Sequence, residues 1–184
     1  MNKDKTVSVI ICTYNGEKYI SEQIDSILKQ TYPIYELIIQ DDGSVDSTPE
    51  VCKTYAKFHP FIKFYENPQR LGFNENFKTA TARATGDYVA LSDQDDVWYP
   101  EKIEQQMSAI GNHDICFCCH NRGISQDHSV YVTPQYSPEA LLFNAFAGHT
   151  MLLERHFAQN TENWLGYIPY DWSLAIQAQL QHGI

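Results

Sequence analysis

The feature that most constrains the fold is a regular alternation of short apolar runs with segments of helical periodicity. The apolar runs are rich in β-branched residues and begin near residues 7, 37, 62, 88 and 115. A strand–helix order repeated in this way predicts an α/β fold with a doubly wound, mostly parallel sheet and helices on both faces. The pattern loosens after about Arg122, where we expect loops, a short helix at 138–146 and a last helix at 171–181.

Length and charge limit the class of protein. A chain of 184 residues suits one domain with a core large enough to fold. Its formal net charge of −10 argues against a general nucleic-acid binder, because such proteins need basic groups to neutralise phosphates. No apolar run approaches the length of a membrane span, and the polar lead before the first strand does not resemble a signal peptide. We therefore expect a cytoplasmic protein without a transmembrane segment and without a nucleic-acid partner.

The five cysteines do not suggest a secreted disulfide framework, because their number is odd and the chain has no secretory features. Cys116 and Cys119 have the C-x-x-C spacing of a zinc site, and His120 follows them. No second pair with this spacing is present to complete four ligands. We therefore interpret residues 115–119 as a buried fifth strand that carries small apolar thiols, with a zinc site as the weaker alternative.

A polar cluster follows each of the first four predicted strands. The clusters are Thr13-Tyr14-Asn15-Gly16, Gln40-Asp41-Asp42-Gly43-Ser44, Asn67-Pro68-Gln69-Arg70 and Ser92-Asp93-Gln94-Asp95-Asp96. In an open α/β sheet the carboxyl ends of the parallel strands meet at one edge, and ligands bind there. A solvated turn explains any one of these clusters, but four at the same edge indicate a binding site.

The chemistry of that edge indicates a site for a nucleoside diphosphate. The three carboxylates within residues 93–96 repel one another unless a cation lies among them, and their oxygen donors suit Mg²⁺ or Mn²⁺. An aspartate after the second strand can accept the imide N–H of uracil or thymine while Tyr14 packs on the base. Arg70 can pair with a phosphate or hold an aspartate. Glycine-rich P-loop and dinucleotide motifs are absent after the first strand, so a site built from acid and metal is favoured.

Four stretches, kept in order and spacing from residue 7 to about residue 103, resemble the family 2 glycosyltransferases of the GT-A fold. They are VSVIICTYNGEKYISEQIDSILKQTY, ELIIQDDGSVDST, RLGFNENF and GDYVALSDQDDVWYPEKI. The SDQDDVW form is most similar to bacterial rhamnosyltransferase-like enzymes of surface polysaccharide synthesis. The resemblance implies one GT-A domain over 1–184, with a nucleotide-binding half at about 1–122 and an acceptor-side half at about 123–184.

The same resemblance implies roles for individual residues. Nucleotide-binding roles fall to Thr13, Tyr14, Asp41, Asp42, Arg70 and Asp93. Within that set, Asp42 matches the aspartate that binds the base. Asp93 and Asp95 match the D-x-D motif, and Asp95 is the expected direct ligand of the Mg²⁺ or Mn²⁺ cofactor.

A general base is implied after the D-x-D motif, because inverting transfer needs a carboxylate to deprotonate the acceptor hydroxyl. The segment YDWSLA resembles the segment of the family that carries this base, which makes Asp171 the candidate. The alternative is that Asp171 only caps the last helix. The segment Gly148-His149-Thr150 resembles a lining of the sugar and acceptor pocket, so His149 and Trp172 are expected there.

The expected function is inverting transfer of a sugar from a UDP- or dTDP-linked donor to a saccharide or lipid-linked saccharide acceptor. The Q-x-x-R-W motif of processive members is absent, so we expect a single transfer. Because acceptors in this family are often lipid-linked, peripheral association with the inner face of the cell membrane is also expected.

Two alternatives to this function stay open. The first is a truncated chain that binds nucleotide sugars without turnover, because the chain ends 13 residues after Asp171, where family members usually continue. A sugar-phosphate nucleotidyltransferase on a related fold is the second alternative. It would need a glycine-rich loop with arginine or lysine after the first strand, and CTYNGEKY does not have the form of such a loop.

Overall fold

The computed structural model describes residues 5–123, 128–135 and 146–184. The helices and strands are, in chain order, β1 (Val7–Thr13), α1 (Ile20–Leu28), β2 (Glu36–Asp41), α2 (Thr48–Phe58), β3 (Ile62–Glu66), α3 (Phe73–Thr81), β4 (Tyr88–Ser92), α4 (Lys102–Ala109), β5 (Ile115–Phe117), β6 (His120–Gly123), β7 (Ser129–Val132), β8 (Met151–Glu154), α5 (Arg155–Gln159) and α6 (Tyr170–Leu180). Short 3-10 turns at Gly148–Thr150 and Thr161–Asn163 precede β8 and α6. No helix within the described ranges is long and apolar enough to cross a bilayer.

The main sheet has six strands in the order β3-β2-β1-β4-β8-β5, and β6 and β7 form a separate hairpin. β1 pairs in parallel with β2 and β4, and β2 pairs in parallel with β3. β8 is antiparallel to both β4 and β5, so β5 runs in the same direction as the first four strands. The expected α/β fold with a mostly parallel sheet is confirmed.

Helices cover both faces of the sheet because the central strands are apolar on both sides. On β1, Val9 and Ile11 pack in one cluster with α1, α2 and α4, whereas Ile10 packs in the other with α3, α5 and α6. All three side chains are completely buried. With both faces covered, the edge at the carboxyl ends of the parallel strands is the place where the sheet can present a site.

The chain after α4 differs from the sequence-based prediction. The fifth strand ends at Phe117 instead of residue 119, and the unpredicted strand β8 lies between β4 and β5. β8 has four residues, too few to show a periodic pattern. The helix predicted at 138–146 lies, apart from Phe146, outside the described residues. The division at about residue 122 stays a prediction, although β8 makes the later segment part of the same sheet.

The cysteines do not form a zinc site within the described part of the chain. All five are free, and the group of metal-ligating side chains found among the described residues contains no cysteine. Cys119 is exposed, and Cys116 and Cys118 are partly buried. The prediction of a buried strand that extends to residue 119 is therefore wrong in its extent, because the partner strand β8 is short and the chain leaves the sheet after Phe117.

A buried carboxylate at the start of β2 joins four segments of the fold. Glu36 is 2% exposed and accepts hydrogen bonds of 2.6–2.8 Å from the Ser8 hydroxyl, the Thr85 N–H and hydroxyl, and the Lys63 ammonium. Burial by itself would raise the pKa of Glu36, but the hydrogen bonds from Lys63, Ser8 and Thr85 outweigh it and hold the pKa below its ordinary value. The charged form of Glu36 therefore stabilises the folded state.

We expect Glu36→Gln to lower the free energy of unfolding by about 1–3 kcal/mol at neutral pH, because buried donors lose a charged acceptor. Since the folded pKa lies below the unfolded pKa, this contribution is complete above about pH 4.3 and is lost as the pH falls through the folded value. Urea denaturation at several pH values measures it. The control is Glu66→Gln, which removes a half-exposed partner of Lys53 and should change little. A difference between wild type and Glu36→Gln that does not shrink in acid would contradict this explanation.

Candidate active site

Two of the predicted nucleotide-binding residues meet in a buried hydrogen bond at the ends of β1 and β2. The Thr13 hydroxyl donates to Asp41 Oδ1 at 2.7 Å, and each residue is 1% exposed. Asp41 Oδ2 also accepts from the N–H groups of Gly43 and Ser44 at 3.1 and 2.8 Å. Gly43 has a φ of 82°, which glycine adopts without strain. Thr13 and Asp41 therefore support the turn after β2 from inside the protein.

Asp42 holds the loop that carries Arg70. Its Oδ1 accepts hydrogen bonds from the Asn67 amide and the Leu71 N–H at 2.9 and 2.7 Å, and its Oδ2 accepts from the Gly72 N–H at 2.8 Å. A carboxylate has about four acceptor positions, so about one is left for a base. The contact between Asp42 and a base stays a prediction, and the structure gives this carboxylate a second task.

Tyr14 and Arg70 form a stacked pair at the same edge. The guanidinium carbon of Arg70 lies 3.9 Å from the centroid of the Tyr14 ring, a cation–π geometry. Tyr14 is 36% exposed, so part of its ring faces solvent. The structure thus brings together two of the side chains that were predicted to contact the nucleotide, and both offer flat surfaces on which a base can stack.

Two carboxylates and an imidazole converge beyond the end of β4. Asp93 Oδ2 lies 3.4 Å from His149 Nδ1, and Asp96 Oδ2 lies 3.8 Å from the same nitrogen. One ligand atom from each residue lies within 4.8 Å of the others. Asp96 Oδ2 is buried and has no hydrogen-bond partner among the described residues, which is a costly state for a carboxylate oxygen. An orphaned oxygen of this kind suits a bound cation.

Asp95, the expected direct metal ligand, is exposed and lies outside this group. In this group Asp96 lies beside Asp93, and His149 offers the third possible ligand atom. The role of His149 in lining the sugar pocket stays a prediction. Sequence reasoning missed Asp96 because it and Asp95 follow the same strand, and no spacing rule says which of the two turns inward. The ligand role of Asp95 stays a prediction.

The surroundings of this cluster shift the pKa values of Asp96 and His149. Burial raises the pKa of Asp96, the facing His149 opposes the rise, and the charge of Asp93 adds to it. Burial alone would lower the pKa of His149, but its hydrogen bond to Asp93 and the charges of Asp96 and Asp93 raise it. A protonated His149 therefore offsets part of the negative charge, whereas the neutral imidazole is the form that can bind a metal.

A buried lysine holds the backbone of His149. Lys102, the first residue of α4, is 9% exposed. Its ammonium donates to the backbone carbonyl of His149 at 2.7 Å and lies 3.3 Å from the centroid of the Trp98 ring. Burial lowers the pKa of Lys102 to about 8. Lys102 thus ties α4 to the turn that carries His149, a link between distant segments that sequence reasoning did not anticipate.

Asp171 lies in the first turn of α6, beside the Gly148–Thr150 turn. Burial raises the pKa of Asp171, the N–H groups of Trp172 and Gly148 oppose the rise, and the charge of Asp93 adds to it. Its Oδ1 accepts a hydrogen bond from the Trp172 N–H at 2.8 Å. The N-cap position of α6 belongs to Pro169, so Asp171 is not the capping residue that the alternative required. Because the charge of Asp93 acts on it, the candidate base lies near Asp93. The next residue, Trp172, is partly buried, and its role in the pocket stays a prediction.

Gly148 is required by the close approach of Tyr170. A Cβ at position 148 would overlap the Tyr170 hydroxyl, and this ring is 7% exposed and packs on Phe77 with centroids 4.5 Å apart.

We expect Gly148→Ala to destabilise the protein by about 1–3 kcal/mol, because the Tyr170 ring has little room to move. We also expect it to weaken Mn²⁺ binding, because the substitution displaces the neighbouring residue His149. Thermal unfolding and Mn²⁺ titration measure both effects. Gly166→Ala, where an added Cβ meets nothing within 4 Å, is the control, and unchanged Mn²⁺ affinity in Gly148→Ala would contradict the expectation.

Comparison with known proteins identifies the family of this chain. The model of the family described as glycosyl transferase family 2 matches residues 8–167, a segment that ends four residues before Asp171. The Escherichia coli UDP-Glc:alpha-D-GlcNAc-diphosphoundecaprenol beta-1,3-glucosyltransferase WfgD is 36% identical over 135 residues, which cover 72% of this chain and 53% of WfgD. The chain spans about half the length, or less, of the first curated relatives that it matches.

Two solved structures share the fold. Staphylococcus aureus TarS 1–349 in complex with UDP-GlcNAc superposes with a TM-score of 0.77 at 22% identity, over 95% of this chain and 53% of the TarS chain. The mannosyltransferase PcManGT of Pyrobaculum calidifontis, in complex with GDP-Man and Mn²⁺, gives a TM-score of 0.69 at 22% identity, again over 95% and 53% of the two chains. The sheet is therefore a GT-A sheet, while the finer similarity to rhamnosyltransferase-like enzymes stays a prediction. Fold, strand-end motifs and family model lead to one conclusion: this chain belongs to glycosyl transferase family 2.

Proposed function

We propose that this chain transfers a sugar from a nucleoside diphosphate to an acceptor hydroxyl, with inversion at the anomeric carbon. Two neighbouring features carry the proposal. The first is the group of Asp93, Asp96 and His149, in which Asp96 Oδ2 has no hydrogen-bond partner among the described residues. The second is the Asp171 carboxylate, whose pKa is raised. The first group suits a cation that binds a diphosphate, and Asp171 suits a base. Direct displacement needs stabilisation of the leaving group and a base at the attacking hydroxyl, and these two features can supply them.

The residues of the cluster fit a hard divalent cation. Two carboxylates and one imidazole form a donor set that accepts Mg²⁺ or Mn²⁺, and Asp96 Oδ2 has no hydrogen-bond partner among the described residues. Asp93, Asp96 and His149 would hold the cation, with Asp95 as a further candidate on the same loop. When bound, the cation supplies Lewis-acid stabilisation of the nucleoside diphosphate leaving group. The Mn²⁺ in the PcManGT complex supports this cofactor class.

Asp171 would take the proton of the acceptor hydroxyl as its oxygen attacks the anomeric carbon. A raised pKa makes this carboxylate a stronger base than an ordinary aspartate, provided that it is deprotonated at the working pH. His149 and Trp172 would line the pocket for the two sugars. Lys102 would keep the His149 turn in place through its hydrogen bond to the backbone.

On the donor side, Tyr14 and Arg70 would stack on the base, and Asp42 would accept its imide N–H with the acceptor position that the loop leaves open. WfgD is named for UDP-Glc and TarS was solved with UDP-GlcNAc, which supports a UDP-sugar. A dTDP-sugar fits the same residues, because uracil and thymine present the same imide edge to an aspartate.

On the acceptor side, the name of WfgD specifies a sugar carried on diphosphoundecaprenol. We propose an acceptor of this class, a saccharide or lipid-linked saccharide used in the synthesis of a surface polysaccharide. Such an acceptor lies at a membrane, so the protein would act at the cytoplasmic face of the cell membrane as a peripheral enzyme.

The proposal is tested by nucleotide release. The protein is incubated with Mn²⁺ and, in turn, UDP-glucose, UDP-GlcNAc, dTDP-rhamnose or GDP-mannose, with and without a lipid-linked saccharide extract. We expect release that depends on one donor and on the acceptor, with an inverted anomeric configuration of the product by NMR. Donor binding without release would favour the binding module, and formation of a nucleoside triphosphate from donor and pyrophosphate would favour a nucleotidyltransferase.

A further inference from the structure

Gln94, which lies between the candidate metal ligands, pairs with the main chain of Tyr14. Its Oε1 accepts a hydrogen bond from the Tyr14 N–H at 2.9 Å, and its Nε2 donates to the Tyr14 carbonyl at 3.2 Å. The two residues are 80 positions apart and belong to the loops after β4 and β1. A side-chain amide that binds both polar groups of one backbone residue fixes the position and the orientation of that residue.

Gly16 leaves room for this pair. A Cβ at position 16 would overlap Oε1 of Gln94, and the three atoms nearest to it all belong to the Gln94 side chain. Gly16 is not among the glycines with positive φ, so its backbone does not itself demand glycine. The close approach of Gln94 is therefore the reason for a glycine at this position.

The turn that carries Tyr14 has other anchors, and they do not involve the metal loop. The Asn15 N–H donates to Ser44 Oγ at 2.8 Å, and Asn15 Oδ1 accepts from the Val45 N–H at 2.9 Å. The Gly16 N–H donates to Thr48 Oγ1 at 2.8 Å. These bonds attach the turn to the loop after β2 and the start of α2. Loss of the Gln94 amide should therefore move Tyr14 relative to Asp93 without unfolding the turn.

We infer that Gln94 is a positioning residue that couples the metal-binding loop to the nucleoside-binding turn. The inference rests on the proposed function, which gives the loop a cation and the Tyr14 ring a base to bind. When Asp93 and Asp96 bind a cation, the position of their loop is fixed. The Gln94 amide, through its two hydrogen bonds, then fixes the position of Tyr14, whose ring stacks on Arg70. Nucleotide affinity in the presence of the metal depends on Gln94, whereas affinity for the metal alone does not.

A double-mutant cycle tests the inference. UDP is titrated by calorimetry at saturating Mn²⁺ into wild type, Gln94→Ala, Gly16→Ala and the double variant. Each single substitution should raise the Kd for UDP about tenfold, the worth of one to two hydrogen bonds. The double variant should lose no more than either single one, because a Cβ at position 16 acts through the side chain that Gln94→Ala removes. Mn²⁺ alone should bind all four proteins alike, and thermal unfolding should show all four folded.

Gln94→Asn is the matched control for chemistry, because it keeps the amide but is one methylene too short to pair with Tyr14. It should behave like Gln94→Ala. Equal UDP affinity in wild type and Gln94→Ala would overturn the inference, and so would additive losses in the double variant.

A nucleotide-free readout separates this inference from the proposed function. In wild type, Mg²⁺ alone should shift the amide NMR resonance of Tyr14, and in Gln94→Ala it should not. A Tyr14 amide that stays unmoved in wild type, while the His149 ring responds to Mg²⁺, would overturn the inference. A wild-type protein that binds Mg²⁺ but no nucleotide would contradict the proposed function, and the Tyr14 resonance would still decide the coupling.

Discussion

Replacing Asp171 with asparagine should lower the rate of sugar transfer by about two to four orders of magnitude, which is the contribution of a positioned general base. Asparagine keeps the size of the side chain and an oxygen for the Trp172 N–H, but it cannot take a proton at neutral pH. The affinity for UDP in the presence of Mn²⁺ should stay near that of wild type, because Asp171 is assigned to the acceptor side. Single-turnover rates and UDP titrations on both proteins measure the two effects.

The pH dependence of transfer, measured at saturating Mn²⁺, tests Asp171 separately. Mn²⁺ must be saturating because protonation of His149, whose pKa is raised, opposes metal binding as the pH falls. The base works only when deprotonated, and burial with the nearby Asp93 raises its pKa, so the rate should fall as the pH drops through that raised value. The acid limb of the profile should then lie above the ordinary aspartate value of about 3.9. Asp25→Asn, on the exposed side of α1, is a control that should leave rate and profile unchanged. An unimpaired rate in Asp171→Asn would remove Asp171 from the chemistry.

The second large effect is expected at the carboxylates beyond β4. Asp93→Asn and Asp96→Asn should each lower transfer by about three orders of magnitude, because a catalytic metal supplies several kcal/mol of leaving-group stabilisation. Mn²⁺ affinity should fall with them. Since Asp96 Oδ2 is buried without a hydrogen-bond partner among the described residues and Asp95 is exposed, Asp96→Asn should weaken Mn²⁺ binding more than Asp95→Asn.

Thermal unfolding shows whether a variant binds Mn²⁺ weakly because it lacks a ligand or because its fold is damaged. Asp96→Asn removes a desolvated charge, so without metal it should be at least as stable as wild type in thermal unfolding. Mn²⁺ titrations followed by electron paramagnetic resonance give the affinities of the four proteins. A larger loss of Mn²⁺ affinity in Asp95→Asn than in Asp96→Asn would favour Asp95 as the metal ligand, as the D-x-D resemblance implies.

The first half of the fold could be predicted because apolar strand segments alternate there with segments in which apolar residues recur at helical spacing. The strands β1, β2 and β4 are mostly apolar, β3 carries Ile62, Phe64 and Tyr65, and each strand is followed by a segment with helical spacing. β8 could not be found in this way, because its four residues carry no period and its place depends on pairing Ala90 with Leu152. β5 ends at Phe117 for the same reason, since its pairing stops opposite Met151 at the start of β8.

The location of the site could be predicted, but its inner contacts could not. Parallel strands send their carboxyl ends to one edge, and this brought Tyr14, Asp42 and Asp93 to the same place. The choice of Asp96 over Asp95 depends on how one loop turns. The approach of His149 and Lys102 depends on packing between segments that are far apart in the chain.

The central claim is that a divalent cation on the Asp93 loop assembles a nucleoside diphosphate site. Calorimetric titration of UDP and dTDP, with and without Mn²⁺, on wild type and Asp93→Asn tests it most directly. We predict that at least one nucleotide binds to wild type, that binding requires Mn²⁺, and that Asp93→Asn abolishes it. Binding that is equally strong without metal, binding that survives Asp93→Asn, or no binding of either nucleotide would contradict the account.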